Sequence, residues 1–313
     1  MNLVVWQRPR GAARPGAVGE VHLLVSPRGG RGRAAAAAPV VRGVIEQAGH
    51  TPVDISGTSA EESAQAARAA VAAGAQRLIA VGGDGAVNLA AQGVAGTGAA
   101  LGIVPAGTGN DFARAFGLLG LSVEEAAATA LGPTQPVDAI RTDRQRWVTL
   151  SVTGGFSVDV NVRADRMRFP SGPSRYTVAT LLTMPGLRHR DLVVTVDGER
   201  TEWRSALIAV NNTPTFGGGM AICPDADPCD GLLDVCVVGP ASRTTMLRLL
   251  PKVFEGGHLG HRHTHMLRGR TVAIDGEPMD LVGDGEKLGA TPITLEAVPD
   301  AIQVAASLQT PSG

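Results

Sequence analysis

Short apolar runs set between polar or glycine-rich turns recur from residue 21 to residue 131. Val21 to Val25 reads as a first strand, Val53 to Ile55 as a short one, and Leu78 to Val81 and Leu101 to Val104 as buried strands. Alanine-rich stretches with helical punctuation lie between them. A helix is expected within residues 34–48, with Pro39 early and Gly49 at its end. Thr58 and Ser59 precede Glu61 and Glu62 at capping-box spacing, which predicts a helix over 60–73 that stops at Gly74. Ser122 and Glu125 predict another at 123–131. Strands alternating with helices in this way specify an α/β N-terminal domain with a parallel, doubly wound sheet.

The pattern changes at Pro133 to Pro136, and β signals dominate beyond it. Trp147 to Val152 reads as one strand and the alternating Phe156 to Val162 as another. Leu192 to Val196, an Asp197-Gly198 turn and Trp203 to Val210 predict a hairpin. Leu233 to Val238, Thr271 to Ile274 and the residues from Leu295 onward add strands. Helices are expected at Ser174 to Met184 and near 243–253, after Ser242. The expected division is a nucleotide-binding domain over 1–136 and a mainly antiparallel, sandwich-like β domain over 137–313. Residues 1–20, with Arg8, Arg10 and Arg14 among Gly, Ala and Pro, read as a poorly ordered extension.

The stretch from Arg77 to Ala91 carries the strongest local chemistry. An apolar strand runs through Gly82-Gly83-Asp84-Gly85 into a helix over 86–91. Free N–H groups and a positive dipole end at such a helix start suit a phosphate. Asp84 at the centre repels phosphate unless it holds a cation, orients a hydroxyl or caps the turn, and the residues alone leave those roles open. Pro105 to Gly109 is a second glycine turn after a strand, and Ser26 to Gly32 a third, rich in arginine. Turns of this kind line up at the carboxyl ends of an open sheet, so the three point to one nucleotide site.

Charge narrows the partners. The formal net charge is −1, which gives no general attraction to nucleic acid. Lys252 and Lys287 are the only lysines, and no Gly-x-x-x-x-Gly-Lys-Ser/Thr loop is present. Backbone amides, arginines or a metal must therefore neutralise bound phosphate. Cys223, Cys229 and Cys236 fit reduced thiols in a cytoplasmic enzyme. No apolar run approaches the ~20 residues of a membrane span, and no signal-peptide pattern opens the chain.

Two acidic turns lie in the second half. Asp225, Asp227 and Asp230 offer oxygens to a hard cation or form a solvated turn, and spacing alone favours the turn. Asp284 and Glu286 flank Gly285 after a strand, where a general base or a plain β-turn would fit. His258, His261, His263 and His265 match no metal spacing and read as a surface loop.

These pieces together resemble the diacylglycerol kinase catalytic-domain family, which includes bacterial diacylglycerol kinases and sphingosine-kinase-like lipid kinases. The resemblance rests on the Ser26-to-Gly32 turn, Gly82 to Gly85, and above all Pro105 to Arg114. It continues through Asn211-Asn212, Phe216 to Gly219, Asp230 to Asp234 and Asp284 to Glu286, and spans roughly residues 21–305. It implies a two-domain lipid kinase that uses ATP and Mg²⁺ in an interdomain cleft. The nucleotide-contacting positions implied are Ser26, Pro27, Arg28, Gly29, Gly30, Thr58, Gly82, Gly83, Asp84, Gly85, Ala86, Asn88, Thr108 and Glu286. Asp284 matches the general base. Asp227, Asp230 and the carbonyl of Leu232 match a structural Mg²⁺ site. The implied substrate is diacylglycerol or a related lipid, met by a cytoplasmic enzyme in peripheral contact with the inner face of the membrane, and a homodimer is an allowed assembly. The chain departs from the family pattern at Ala86, where Thr is usual, at Leu89, where Glu is usual, and at Ser26, where Asn is usual. A NAD-kinase-like enzyme shares Gly-Gly-Asp-Gly, and a homologue that binds nucleotide or lipid without turnover is the reading that Ala86 and Leu89 favour.

Overall fold

The computed structural model describes residues 19–26, 29–167 and 173–306. The expected extension falls outside these residues except for Gly19 and Glu20, and so do Pro27 and Arg28 of the first glycine turn.

The first half forms β1 (Glu20–Val25), α1 (Arg33–Gln47), β2 (Thr51–Asp54), α2 (Ala60–Ala72), β3 (Arg77–Gly82), α3 (Asp84–Val94), β4 (Ala100–Pro105), α4 (Asp111–Ala115) and α5 (Val123–Ala130). The four strands are parallel and lie in the order β2-β1-β3-β4. Helices cover both faces, which is why the central β3 and β4 are apolar almost throughout, while edge strand β2 is half exposed. Leu24, Leu78, Ala80, Leu101 and Ile103 pack under α2 and α3. Leu23, Ile79, Val81 and Val104 pack under α1 and α5. Ser122 caps α5 with the full reciprocal pair to Glu125, and Ser59 caps α2 through the Glu62 amide.

The second half contains β5 (Thr134–Thr142), β6 (Trp147–Val148), β7 (Ser151–Gly155), α6 (Phe156–Arg166), α7 (Pro173–Thr183), β8 (Arg190–Val196), β9 (Glu199–Ser205), β10 (Leu207–Asn211), β11 (Leu233–Val238), α8 (Arg243–Val253), β12 (Thr264–Gly269), β13 (Thr271–Gly276), β14 (Asp280–Gly283), β15 (Glu286–Ala290) and β16 (Ile293–Ala305). Six of these strands make an antiparallel sheet ordered β12-β11-β10-β7-β14-β15. Its inner face, with Ile208, Val210, Val235 and Leu281, packs on Leu192, Val194, Val272 and Leu295 of the facing sheet. That facing sheet is an extension of the parallel one. β16 pairs antiparallel with β13 and β5, then runs on to pair parallel with β4 through Gln303 and Val304. The boundary expected between residues 136 and 137 falls inside β5.

Three expected strands come out differently. Phe156 to Val162 is the start of helix α6: Gly155, at φ 81°, turns the chain out of the sheet, and Phe156, Val160 and Ala164 then share one helical face against Ala179 and Met184. Helix α6 raises the helices of this half from the two expected to three among the described residues. Trp203 to Val210 is cut at Ala206, where the chain leaves one sheet for the other. Trp147 to Val152 is cut at Thr149 and Leu150 for the same reason. That second break frees two backbone N–H groups, and the site uses them.

Candidate active site

The three glycine turns meet at the carboxyl ends of β1, β3 and β4. They line a cavity of about 400 Å³ with Ser26, Gly30, Gly83 to Ala86, Leu89 and Gly107 to Gly109, and Glu286 reaches it from the second half. The glycines are required first by one another. A Cβ on Gly107 would sit 2.4 Å from the Gly83 Cα, and one on Gly30 would sit 1.8 Å from the Ala106 carbonyl oxygen. Only bare backbone lets the turns close to this distance. Arg33 fastens them: its Nε donates to the Gly30 carbonyl at 3.0 Å and a terminal nitrogen donates to the Gly107 carbonyl. Asn110 accepts from the Gly107 amide at 2.9 Å. Gly85 is left open to the cavity at the first turn of α3.

Asp84 does not cap its own helix. Its Oδ1 accepts the Phe112 amide at 2.9 Å and so caps α4 across the cavity. Burial pushes its carboxyl above the ordinary range; bonds from the Phe112 and Asp111 amides oppose this, and the charges of Asp111 and Asp284 add to it. Asp111, 2% exposed, accepts the Gly218 amide at 2.6 Å. The glycine run Gly217 to Gly219 thereby docks the second half against α4.

Asp284 does not line the cavity but lies close enough for its charge to act on Asp84, and it is heavily hydrogen-bonded. Its Oδ2 accepts from the Thr149 amide at 2.6 Å and from the Thr149 hydroxyl and Asn88 Nδ2, both at 2.8 Å. Its Oδ1 accepts from the amides of Leu150 at 2.9 Å and Ser151 at 3.1 Å. Two of these donors are the N–H groups freed by the break between β6 and β7. Asn88 therefore serves Asp284 and, at 3.3 Å, the Trp147 carbonyl, and does not line the cavity. Gln92 reinforces the junction, donating to the Trp147 carbonyl at 2.8 Å. Thr58 stands apart: its amide and hydroxyl both bind Glu62.

The side chains expected to ligate a structural Mg²⁺ are partly engaged within the protein. Asp227 accepts the Cys229 amide at 3.0 Å, and Asp230 Oδ1 accepts the Leu232 amide at 2.9 Å. The other Asp230 oxygen pairs with Arg268, whose Nε also lies 3.4 Å from Asp234. No group of three His, Cys, Asp or Glu side chains among the described residues is arranged around a metal. For the expected ligands, the Asp230 oxygen that pairs with Arg268 is the one a divalent ion would have to share or take over. The histidines are not simply the surface loop expected: His258 is buried and bonds with the Ile222 carbonyl, and His265 lies in β12 with its ring tilted against Trp203 at 4.7 Å.

Arg33, Thr149 and Gln92 are functional neighbours that the sequence reading did not single out. Arg33 stood among the arginines of the first turn, but spacing does not say which arginine turns back onto the loops.

Three cradle turns around an acidic residue, closed by a second β domain, define a two-domain phosphotransferase. Residues 20–142 match the family model of the diacylglycerol kinase catalytic domain, and residues 150–306 match that of the YegS C-terminal NAD kinase beta sandwich-like domain. The chain is 37% identical over 300 residues to a diacylglycerol kinase of Mycobacterium tuberculosis, covering 94% of this chain and 97% of that one. It is 31% identical to a Xanthomonas axonopodis protein named "probable lipid kinase YegS-like", over 74% of this chain and 78% of that one. The fold superimposes on a crystal structure of a diacylglycerol kinase from Bacillus anthracis with a TM-score of 0.72, at 19% identity over 92% of this chain and 97% of that one. The chain belongs to the diacylglycerol kinase catalytic-domain family, a family of lipid kinases.

Proposed function

We propose that the protein transfers the γ-phosphoryl group of ATP to a lipid hydroxyl, converting diacylglycerol to phosphatidic acid. The observation that carries this reading is the convergence of three backbone-lined turns and Asp84 on one cavity, which Glu286 reaches from the second half. The amides of Gly83 to Gly85 and the exposed Arg31 and Arg33 supply the positive potential that lysines do not. Mg²⁺ arriving with ATP would supply charge neutralisation, and Asp84 is the carboxylate facing it. In the transfer, the bond from the γ-phosphorus to the ADP oxygen breaks and a bond to the lipid oxygen forms. The hydroxyl proton goes to Asp284. Of the five donors on Asp284, the Thr149 hydroxyl and the Asn88 amide belong to side chains that can turn aside. The incoming hydroxyl takes their place while three backbone amides hold the carboxylate.

A diacylglycerol substrate places the reaction at a membrane surface, at the inner face for a cytoplasmic enzyme. No helix among the described residues is long and apolar enough to cross a bilayer. Leu181 and Leu182 on α7 and Phe254 after α8 are each more than half exposed and suit peripheral contact. The test is a panel of diacylglycerol, ceramide, sphingosine and NAD with labelled ATP. Label transfer to diacylglycerol above all others is expected. Transfer to NAD alone, or ATP binding with no transfer to any, would overturn the reading.

A further inference from the structure

The acidic turn between β10 and β11 carries a cation of its own. Arg268 lies on β12, the edge strand of the second sheet, directly across the antiparallel ladder from Asp234. Opposite charges facing each other in this register attract. The Arg268 side chain, 43% exposed, reaches past Asp234 to Asp230, whose own side chain is 26% exposed. Asp234 is more deeply placed, at 10%, and its Oδ2 is buried with no hydrogen-bond donor, so the guanidinium 3.4 Å away is its compensation. A guanidinium has a planar fork that can address two carboxylates at once. Arg268 is the one basic side chain within ion-pairing distance of Asp230 or Asp234 among the described residues.

A divalent ion competes poorly for the same place. Mg²⁺ demands near-octahedral oxygens at about 2.0–2.1 Å. Asp227 and Asp230 each already spend an oxygen on an amide of their own turn, and Asp230 spends the other on Arg268. A metal at Asp230 would have to share that oxygen with the guanidinium against its charge, or push it back onto Asp234 alone.

We propose that Arg268 takes the place of a structural divalent cation at this turn, so that the second domain folds and stays closed without Mg²⁺. The proposal concerns the turn alone and does not depend on which substrate the cavity takes.

The test uses the full chain without nucleotide, melted by tryptophan fluorescence in EDTA and in millimolar MgCl₂ at matched ionic strength. The wild type is expected to melt within about 1 °C in the two media. Arg268→Met, which keeps much of the apolar stem but not the charge, is expected to melt about 3–6 °C lower in EDTA. Added Mg²⁺ is then expected to recover part of that loss, because the freed carboxylates can accept it. A wild type stabilised by Mg²⁺, or an Arg268→Met chain that melts like the wild type in EDTA, would overturn the proposal. Should Arg268→Met not fold, calorimetric titration of the wild type with MgCl₂ decides. No saturable binding sensitive to Asp230→Asn is expected, and binding that Asp230→Asn abolishes would overturn it.

Discussion

At the scale of the residue, Asp284 and Asp84 are opposite solutions to keeping a carboxylate at a phosphate site. Asp284 is surrounded by donors. Substituting Asn is therefore not a silent change of charge. With its amide group at the Oδ2 position, Thr149 Oγ1 and Asn88 can turn to accept, but the Thr149 backbone N–H cannot. Hydrogen bonds to charged groups are worth about 1.5–3 kcal/mol, so Asp284→Asn is expected to lower the melting temperature as well as turnover. If Asp284 is the proton acceptor, turnover falls by at least ~10²-fold, with ATP affinity held by the glycine turns. Melting curves and kcat per folded enzyme check both: turnover within tenfold of the wild type would remove Asp284 as the acceptor. Asp84 is short of donors and buried, and its carboxyl is raised. A raised folded-state pKa means stability that is fully present below the unfolded-state pKa and is lost as pH rises through the folded one. The ionised Asp84 is thus a cost at neutral pH. Asp84→Asn, whose carbonyl still caps α4, is expected to melt a few degrees above the wild type at pH 8. That gain shrinks as pH falls through the raised folded-state pKa and is gone below the ordinary carboxylate value, and kinase activity is lost throughout. A gain independent of pH, or none, would show that desolvation of this charge is not what destabilises the loop.

At the scale of the element, legibility followed whether a signal was local. The central parallel strands could be read because burial on both faces makes them continuously apolar, as at Leu78 to Val81. The Asp197-Gly198 hairpin could be read because both residues take positive φ, 49° and 89°, which that turn needs. Phe156 to Val162 could not, since Phe156 and Val160 satisfy a strand period and a helical face alike, and the deciding partners, Ala179 and Met184, come later in the chain. The breaks at Thr149–Leu150 and at Ala206 carry no local mark either: each is a place where the chain changes sheets. The same division runs through the site. The glycine turns were visible, but not that they press on one another before any ligand. Asp84 was visible, but its partner Phe112 was not. The acidic turn was visible, while the arginine that neutralises it stands 38 residues from Asp230.

At the scale of the whole molecule, β16 ties the two halves into one cooperative body. Its early residues close the β sandwich against β13 and β5, and its last residues complete the parallel sheet beside β4. Ile302 and Val304 are fully buried and share a core with Leu101 and Ile103 of the nucleotide half. Asp300, at φ 55°, marks the bend between the two roles, and its amide is held by Asp138 Oδ1 at 3.0 Å. A chain ending at Val298 keeps every residue that lines the cavity yet exposes the β4 edge and uncovers those two side chains. Burying one such aliphatic side chain is worth about 1.5–3 kcal/mol, and an unpaired buried edge invites aggregation. The truncated chain is therefore expected to lose ATP binding and melt far below the full chain, although no cavity residue has been removed. In the full chain, circular dichroism and tryptophan fluorescence, which senses Trp147 beside α3 and Trp203 in the sandwich, are expected to report one coincident unfolding transition. Two separated transitions, or a truncated chain that still binds ATP with wild-type affinity, would mean that the nucleotide half folds alone and that β16 is an attachment to it, not a shared strand.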